Sequence, residues 1–201
     1  MAPPGAMTAE TPPASRLRQA RVLFVCTGNI CRSPIAESML RGYVDRTRLP
    51  VSVLSAGLLP DEGPADGSAI AVLRTRGIDL AGHRRRQISA PLLDGADLIL
   101  GMERLHVREV VALEPTTFYR AFTLREYVRR AAAEGPRTMP VGLRAWAAAL
   151  HRSRTPWDLL GSSAADTVDD PFGLGRDAFE QCADEIDGLI ESLVALTWPR
   201  D

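Results

Sequence analysis

The chain has 201 residues, 45% of them hydrophobic, and a formal charge of −1 in which all 24 basic side chains are arginine. That length suits one domain with a real core, the near-neutral balance argues against nucleic-acid or membrane partners, and the lack of lysine excludes a Walker-type phosphate loop. Three cysteines make no secreted disulfide framework, and three histidines, none near a cysteine in sequence, argue against a four-ligand zinc site.

Residues 1–20 are rich in Pro, Ala and Thr and lack the apolar run of a signal peptide, so a disordered tail is expected ahead of a single domain over residues 21–201. No stretch approaches the roughly 20 apolar residues of a membrane span. Cytoplasm is the default. Val22-Leu23-Phe24-Val25 reads as a short buried strand, with turn residues following at once. Ser33 is predicted as a helix N-cap and Pro34 as the first helical residue. Between strand and helix lie Cys26, a Gly28-Asn29 turn and Arg32. Backbone N–H groups of such a loop converge on an anion, helped by the helix N-terminus, and the same field favours the thiolate of Cys26. The stretch reads as a phosphate cradle with a nucleophile at its floor.

The string Val-Cys-Thr-Gly-Asn-Ile-Cys-Arg-Ser-Pro, with its Cys-x5-Arg-Ser spacing, resembles the low-molecular-weight protein tyrosine phosphatases. The resemblance implies hydrolysis of a phosphorylated protein without a cofactor or metal, by a monomer or weak dimer. It implies that Cys26 attacks, that Arg32 grips the phosphoryl group, and that Thr27, Gly28, Asn29, Ile30, Cys31 and Ser33 complete the cradle. It also implies that Cys31 traps oxidised Cys26 as a reversible disulfide; the alternative is a packed, unreactive Cys31.

Further along, Ile35, Met39, Leu40, Tyr43 and Val44 form the buried face of the first helix, and Glu37 suits its dipole. Val51 to Ser55 is the second strand, parallel to the first. Ser55-Ala56-Gly57 resembles the family's Ser-Ala-Gly, in which the serine braces the loop through the asparagine, here Asn29. Leu58 to Gly67 reads as a loop, and Ala69 to Arg76 as a helix ended by Gly77. The segment His83-Arg84-Arg85-Arg86-Gln87-Ile88 resembles the one whose histidine supports that asparagine, which assigns His83 a bracing role. Its arginines are either a solvated run or a lure for an acidic phosphopeptide.

Asp97 to Met102 is the third predicted strand. Glu103 to Leu113 is a helix with Leu105, Val110, Val111 and Leu113 inside, and Phe118 to Phe122 a fourth strand. Thr123 caps the next helix. Strands alternating with helices give a doubly wound, four-stranded parallel α/β sheet. Residues 131–168, with an Ala-rich helix at Leu143 to His151, read as an insertion, either a lid or partner surface or an excursion packed on the side. Then comes Val168-Asp169-Asp170-Pro171-Phe172-Gly173. An aspartate before proline is the family's general acid, which points to Asp170, with Asp169 in support. The last helix buries Phe179, Cys182, Ile186, Leu189, Ile190 and Leu193. Gly173 to Ala178 matches a dinucleotide fingerprint formally, but no strand precedes it.

Relatives acting on phosphotyrosine often place an aromatic after Ser-Ala-Gly; Leu58 to Gly63 has none, so Phe172 and Leu58 or Leu59 are expected as the substrate walls. Bacterial protein arginine phosphatases are a second resemblance, through Phe122 to Val128 and Asp170 to Gly173, but they carry threonine where this chain has Ile30. Phosphotyrosine is therefore the expected substrate and phosphoarginine the alternative. An arsenate reductase, which needs a cysteine relay, and an inactive phosphate-binding module are less favoured.

Overall fold

A computed structural model describes residues 19–60 and 62–199, so all but the last two residues of the expected tail lie outside the described residues. Four parallel strands, β1 (Ala20–Cys26), β2 (Val51–Gly57), β3 (Leu98–Gly101) and β4 (Ala121–Thr123), form one sheet in the order β2-β1-β3-β4. Among the described residues seven α-helices accompany them: α1 (Arg32–Thr47), α2 (Gly67–Thr75), α3 (Ala90–Gly95), α4 (Arg104–Leu113), α5 (Leu124–Glu134), α6 (Leu143–His151) and α7 (Arg176–Thr197). This is the expected doubly wound α/β class. Alternation along β1 sorts its side chains: Val22 and Phe24 join one core with α1, α5, α6 and α7, while Leu23 and Val25 join a smaller one with α3 and α4. Both faces are covered, which is why the strands read as continuous apolar runs.

Several local expectations shift. α1 begins at Arg32 rather than after Ser33, with Cys31 as its cap residue. The fourth strand is only Ala121–Thr123, because Pro115–Arg120 coils into a 3-10 turn. Thr123 caps α5 as expected, its hydroxyl accepting from the Glu126 N–H at 3.1 Å. On α4 the buried residues are His106, Val107 and Val110, whereas Leu105 and Leu113 are exposed. Tyr43 and Leu189 are only partly buried. α3 was not legible, since six residues opening on Ala-Pro carry too little periodicity.

The segment expected as an insertion does not stand away from the sheet. Leu143, Trp146, Ala147 and Leu150 of α6 enter the main core. Arg144 donates to Asp97 Oδ1 at 2.9 Å, and buried Arg154 lies 3.0 Å from Glu126 Oε1 and over the rings of Phe118 and Phe122. Among the described residues no helix is long and apolar enough to cross a membrane.

Candidate active site

In a sheet of order 2-1-3-4 the chain turns opposite ways beyond β1 and β3, which opens a crevice at their carboxyl ends. Cys26 is the last residue of β1, and α1 opens six residues later with its free N–H groups facing the same crevice. The loop between them is held from two sides.

On the β2 side the organiser is Asn29, 1% exposed and at φ 52°, a left-handed conformation that asparagine tolerates better than most residues. Its N–H donates to Cys26 Sγ at 3.3 Å, and its side-chain amide donates to Ser33 Oγ at 3.0 Å and Ser55 Oγ at 2.8 Å. Its Oδ1 accepts from the Arg86 N–H at 3.0 Å, and its carbonyl accepts from His83 Nε2 at 2.9 Å. Ser55 Oγ donates to Glu37 Oε2 at 2.5 Å. Ser33 Oγ, already an acceptor, has its own proton to give to Cys26 Sγ, 2.9 Å away. From the Asn29 amide the donors thus run two ways, through Ser33 towards the Cys26 sulfur and through Ser55 to the Glu37 carboxylate, and such linked bonds strengthen one another in a low-dielectric interior. Glu37, expected to serve the helix dipole, is instead buried and closes this run while pairing with Arg41. Ser33, expected to cap α1, serves the sulfur. Burial holds the His83 imidazole below its ordinary range despite the bond it donates to the Asn29 carbonyl.

On the β3 side lies a brace that sequence reasoning missed. Thr27 Oγ1 is 3.0 Å from His106 Nε2, and the Glu103 N–H donates to His106 Nδ1 at 3.2 Å. With Nδ1 accepting, Nε2 carries the proton and donates to Thr27. His106 is 0% exposed, and burial, with the Arg32 charge nearby, pushes it down to about 3. Its position just past the C-terminal end of β3 was the available signal.

Arg32, 2% exposed, donates to Asp170 Oδ2 at 2.5 Å, Val168 O at 3.2 Å and Glu103 Oε1 at 3.3 Å. The Asp170 loop is hung from β3 by the Val168 N–H on Met102 O at 2.8 Å, and Asp170 Oδ1 accepts from the Phe172 N–H at 3.2 Å. Around these groups runs a cleft of about 260 Å³, lined by Cys26, Thr27, Gly28, Ile30, Cys31, Arg32, Leu59, Arg85, Asp170 and Phe172.

Two expected residues are placed elsewhere. Leu58 turns into the smaller core, its N–H held by Thr27 O at 2.8 Å, and Leu59 takes its place in the wall, because successive residues leaving a strand point oppositely. Asp169 is exposed and does not line the cleft; its charge acts on Arg125. Cys31 lines the cleft beside Cys26, and burial, with Asp66 and Asp170 nearby, drives its thiol far above the ordinary range. Cys182 is buried on α7 and pushed up to about 12, mainly by burial. Among the described residues no group of three or more His, Cys, Asp or Glu is placed to hold a metal ion.

A family model described as low molecular weight phosphotyrosine protein phosphatase matches residues 21–136. A probable low molecular weight protein-tyrosine-phosphatase of Ralstonia solanacearum, EpsP, is 45% identical over 107 residues, 52% of this chain and 70% of that protein. The protein-arginine-phosphatase of Bacillus subtilis is 30% identical over 174 residues, 86% of this chain and 93% of its own length. The crystal structure of a low molecular weight protein tyrosine phosphatase from T. tengcongensis superposes with a TM-score of 0.67 at 30% identity, covering 87% of this chain and 97% of that one.

Proposed function

Since the chain belongs to the low molecular weight phosphotyrosine protein phosphatase family, whose members are cysteine-based phosphatases, we propose that Cys26, Arg32 and Asp170 hydrolyse a phosphotyrosine side chain through a phosphocysteine intermediate. The observation that carries this reading is the meeting of the Cys26 sulfur, the Arg32 guanidinium and the Asp170 carboxyl around one cleft. Cys26 Sγ attacks phosphorus as the thiolate, favoured by the Ser33 hydroxyl and the Asn29 N–H. As the P–O bond to the phenol breaks, Asp170 gives its proton to the leaving oxygen. Asp170 then takes a proton from a water that attacks the phosphocysteine, and the P–S bond breaks to return the thiolate and free phosphate.

Arg32 has a planar fork that matches two phosphoryl oxygens, and Glu103 and Val168 O fix one end of it. A phosphoryl group reaching the floor competes with Asp170 for the other end, which frees that carboxyl to meet the leaving oxygen. Ser55, His83, Glu37 and His106 hold the cradle in shape rather than touching substrate.

The apolar lining from Ile30, Leu59 and Phe172 supports a phenol ring as the leaving group. The alternative, phosphoarginine, is favoured by the likeness of nearly the whole chain to the Bacillus subtilis enzyme. A disulfide-relay reductase is disfavoured by the burial of Cys182. Matched phosphotyrosine and phosphoarginine peptides, assayed with a metal chelator present, test the reading. Wild type is expected to prefer phosphotyrosine, Ile30→Thr to narrow the preference, and Cys26→Ser to be inactive. Full turnover by Cys26→Ser would sink the covalent mechanism.

A further inference from the structure

Asp166 is a buried carboxylate that the proposed chemistry does not use. It is 3% exposed, it ends the 3-10 turn Ala164–Asp166, and two helices reach for it. From α4, Arg104 Nε donates to its Oδ2 at 2.7 Å; from α5, the Arg129 guanidinium donates to its Oδ1 at 2.8 Å. The same two side chains also take carbonyls of this segment, Leu160 O at 3.0 Å from Arg104 and Ala165 O at 3.2 Å from Arg129. Beyond Asp166 the backbone is extended at Thr167, with φ −109° and ψ 127°. Val168 then docks on β3 through Met102 O at 2.8 Å and offers its own carbonyl to Arg32 at 3.2 Å. Two residues later stands Asp170.

We infer that Asp166 is a positioning residue for the acid step: clamped between Arg104 and Arg129, it fixes where the Asp170 loop starts and so how far the Asp170 carboxyl reaches into the cleft. This role rests on the reading of Asp170 as the general acid and names what holds that acid in place. Among the described residues the Asp170 carboxylate bonds to the Arg32 guanidinium and to the Phe172 N–H of its own turn. A phosphoryl group that takes over Arg32 removes the first of these ties, and the carboxyl then keeps its place through the backbone. Past Pro171 that backbone is exposed from Phe172 to Arg176, so the firm attachments lie ahead of Asp170, at Val168 and Asp166. Bonds between a carboxylate and guanidinium groups are among the stronger ones, and a buried carboxylate depends on keeping both partners. Proton transfer needs the acid within about 2.6–3.2 Å of the leaving oxygen, so a displacement of about 1 Å at the loop falls on the acid step. The cradle at Cys26 is held by Asn29, Ser33 and His106 and does not share this support.

The test compares phenyl phosphate, with a poor leaving group, and nitrophenyl phosphate, with a good one, on wild type, Asp166→Asn, Asp170→Asn and the double variant. Asp166→Asn is expected to lower kcat/KM on phenyl phosphate by about ten- to a hundredfold and on nitrophenyl phosphate far less, with the Ki of inorganic phosphate unchanged. In the Asp170→Asn background the same substitution has no acid left to position and adds no further loss. Equal losses on the two substrates, a weakened phosphate Ki, or a full additional loss in the double variant would each overturn the positioning role and leave Asp170 standing as the acid. An Asp170→Asn enzyme that slows on both substrates equally overturns the acid reading itself, and the positioning role with it. If Asp166→Asn does not fold, Arg129→Met decides, because that side chain is 53% exposed and its loss removes one of the two clamps without opening the core. Its ratio of phenyl to nitrophenyl kcat/KM is expected to fall about two- to fivefold, the scale of a partly exposed ion pair, and an unmoved ratio overturns the proposal.

Discussion

At the scale of single residues, the proposed site is built from groups that their partners hold in place. Ser33 accepts from Asn29, which leaves its own proton for Cys26 Sγ at 2.9 Å or the Ala56 carbonyl at 3.4 Å; Ser55 accepts from Asn29 and donates to Glu37. Asp170 is held at one oxygen by Arg32 and at the other by the Phe172 N–H, which fixes the carboxyl in the cleft lining. If Asp170 protonates the leaving oxygen, Asp170→Asn should slow an alkyl phosphate by about 10²–10⁴ and a nitrophenyl phosphate far less. Equal losses on the two would move the role elsewhere. The motif residues were legible because each is tied to a neighbour in sequence or to a family string. Glu103, His106 and Arg85 were not, since their places depend on which strand end and which segment the fold brings beside Cys26.

At the scale of elements, the cradle depends on how closely β2 runs past it. Cys26 stands opposite Gly57 in the parallel register, and the N–H groups of Leu58 and Leu59 both reach Thr27 O. A Cβ on Gly57 would lie 2.9 Å from Thr27 O, from the Gly28 carbonyl carbon and from the Asn29 nitrogen. All three are backbone, so the loop itself must move. Gly57→Ala should therefore cost about 1–3 kcal/mol and weaken inhibition by inorganic phosphate, read by thermal melting and by Ki; an unchanged Ki would show that the loop tolerates the shift. Helix and strand positions followed from apolar runs and caps. The errors fell where periodicity was short or degenerate. α3 has six residues, β4 has three, and α4 shows apolar residues on more than one face, so its burial is settled by what packs on it.

At the scale of the whole molecule, two features set stability. The first is the tie between α6 and the rest of the core: Arg154 is buried against Glu126 and donates to the Phe118 and Ala121 carbonyls. Arg154→Ala leaves the Glu126 carboxylate with less compensation, and a loss of about 3–5 kcal/mol in denaturant unfolding is expected; a loss below about 1 kcal/mol would place the pair outside the core energetics. The second is acid sensitivity. All three histidines are held below the ordinary imidazole range by burial, His106 most strongly, at about 3 against 6.5. The unfolded chain binds a proton at each below about 6.5 that the folded form refuses. Stability is therefore full above that pH and falls as pH drops towards 3, by about 1.4 kcal/mol per pH unit for His106 alone. His106→Asn should flatten that slope in melts run from pH 7 to 4, and an unchanged slope would assign it to other groups. The sequence by itself determined the alternating α/β layers, the strand–loop–helix at Cys26 and the Asp-Pro motif proposed to carry the acid, because these rest on local periodicity, turn chemistry and contiguous motifs. Only the tertiary structure decided that Glu37, His106 and Glu103 brace the cradle, that Leu59 rather than Leu58 faces the cleft, and that of Arg84, Arg85 and Arg86 it is Arg85 that lines it. Those outcomes depend on contacts between segments tens of residues apart, which no local pattern encodes.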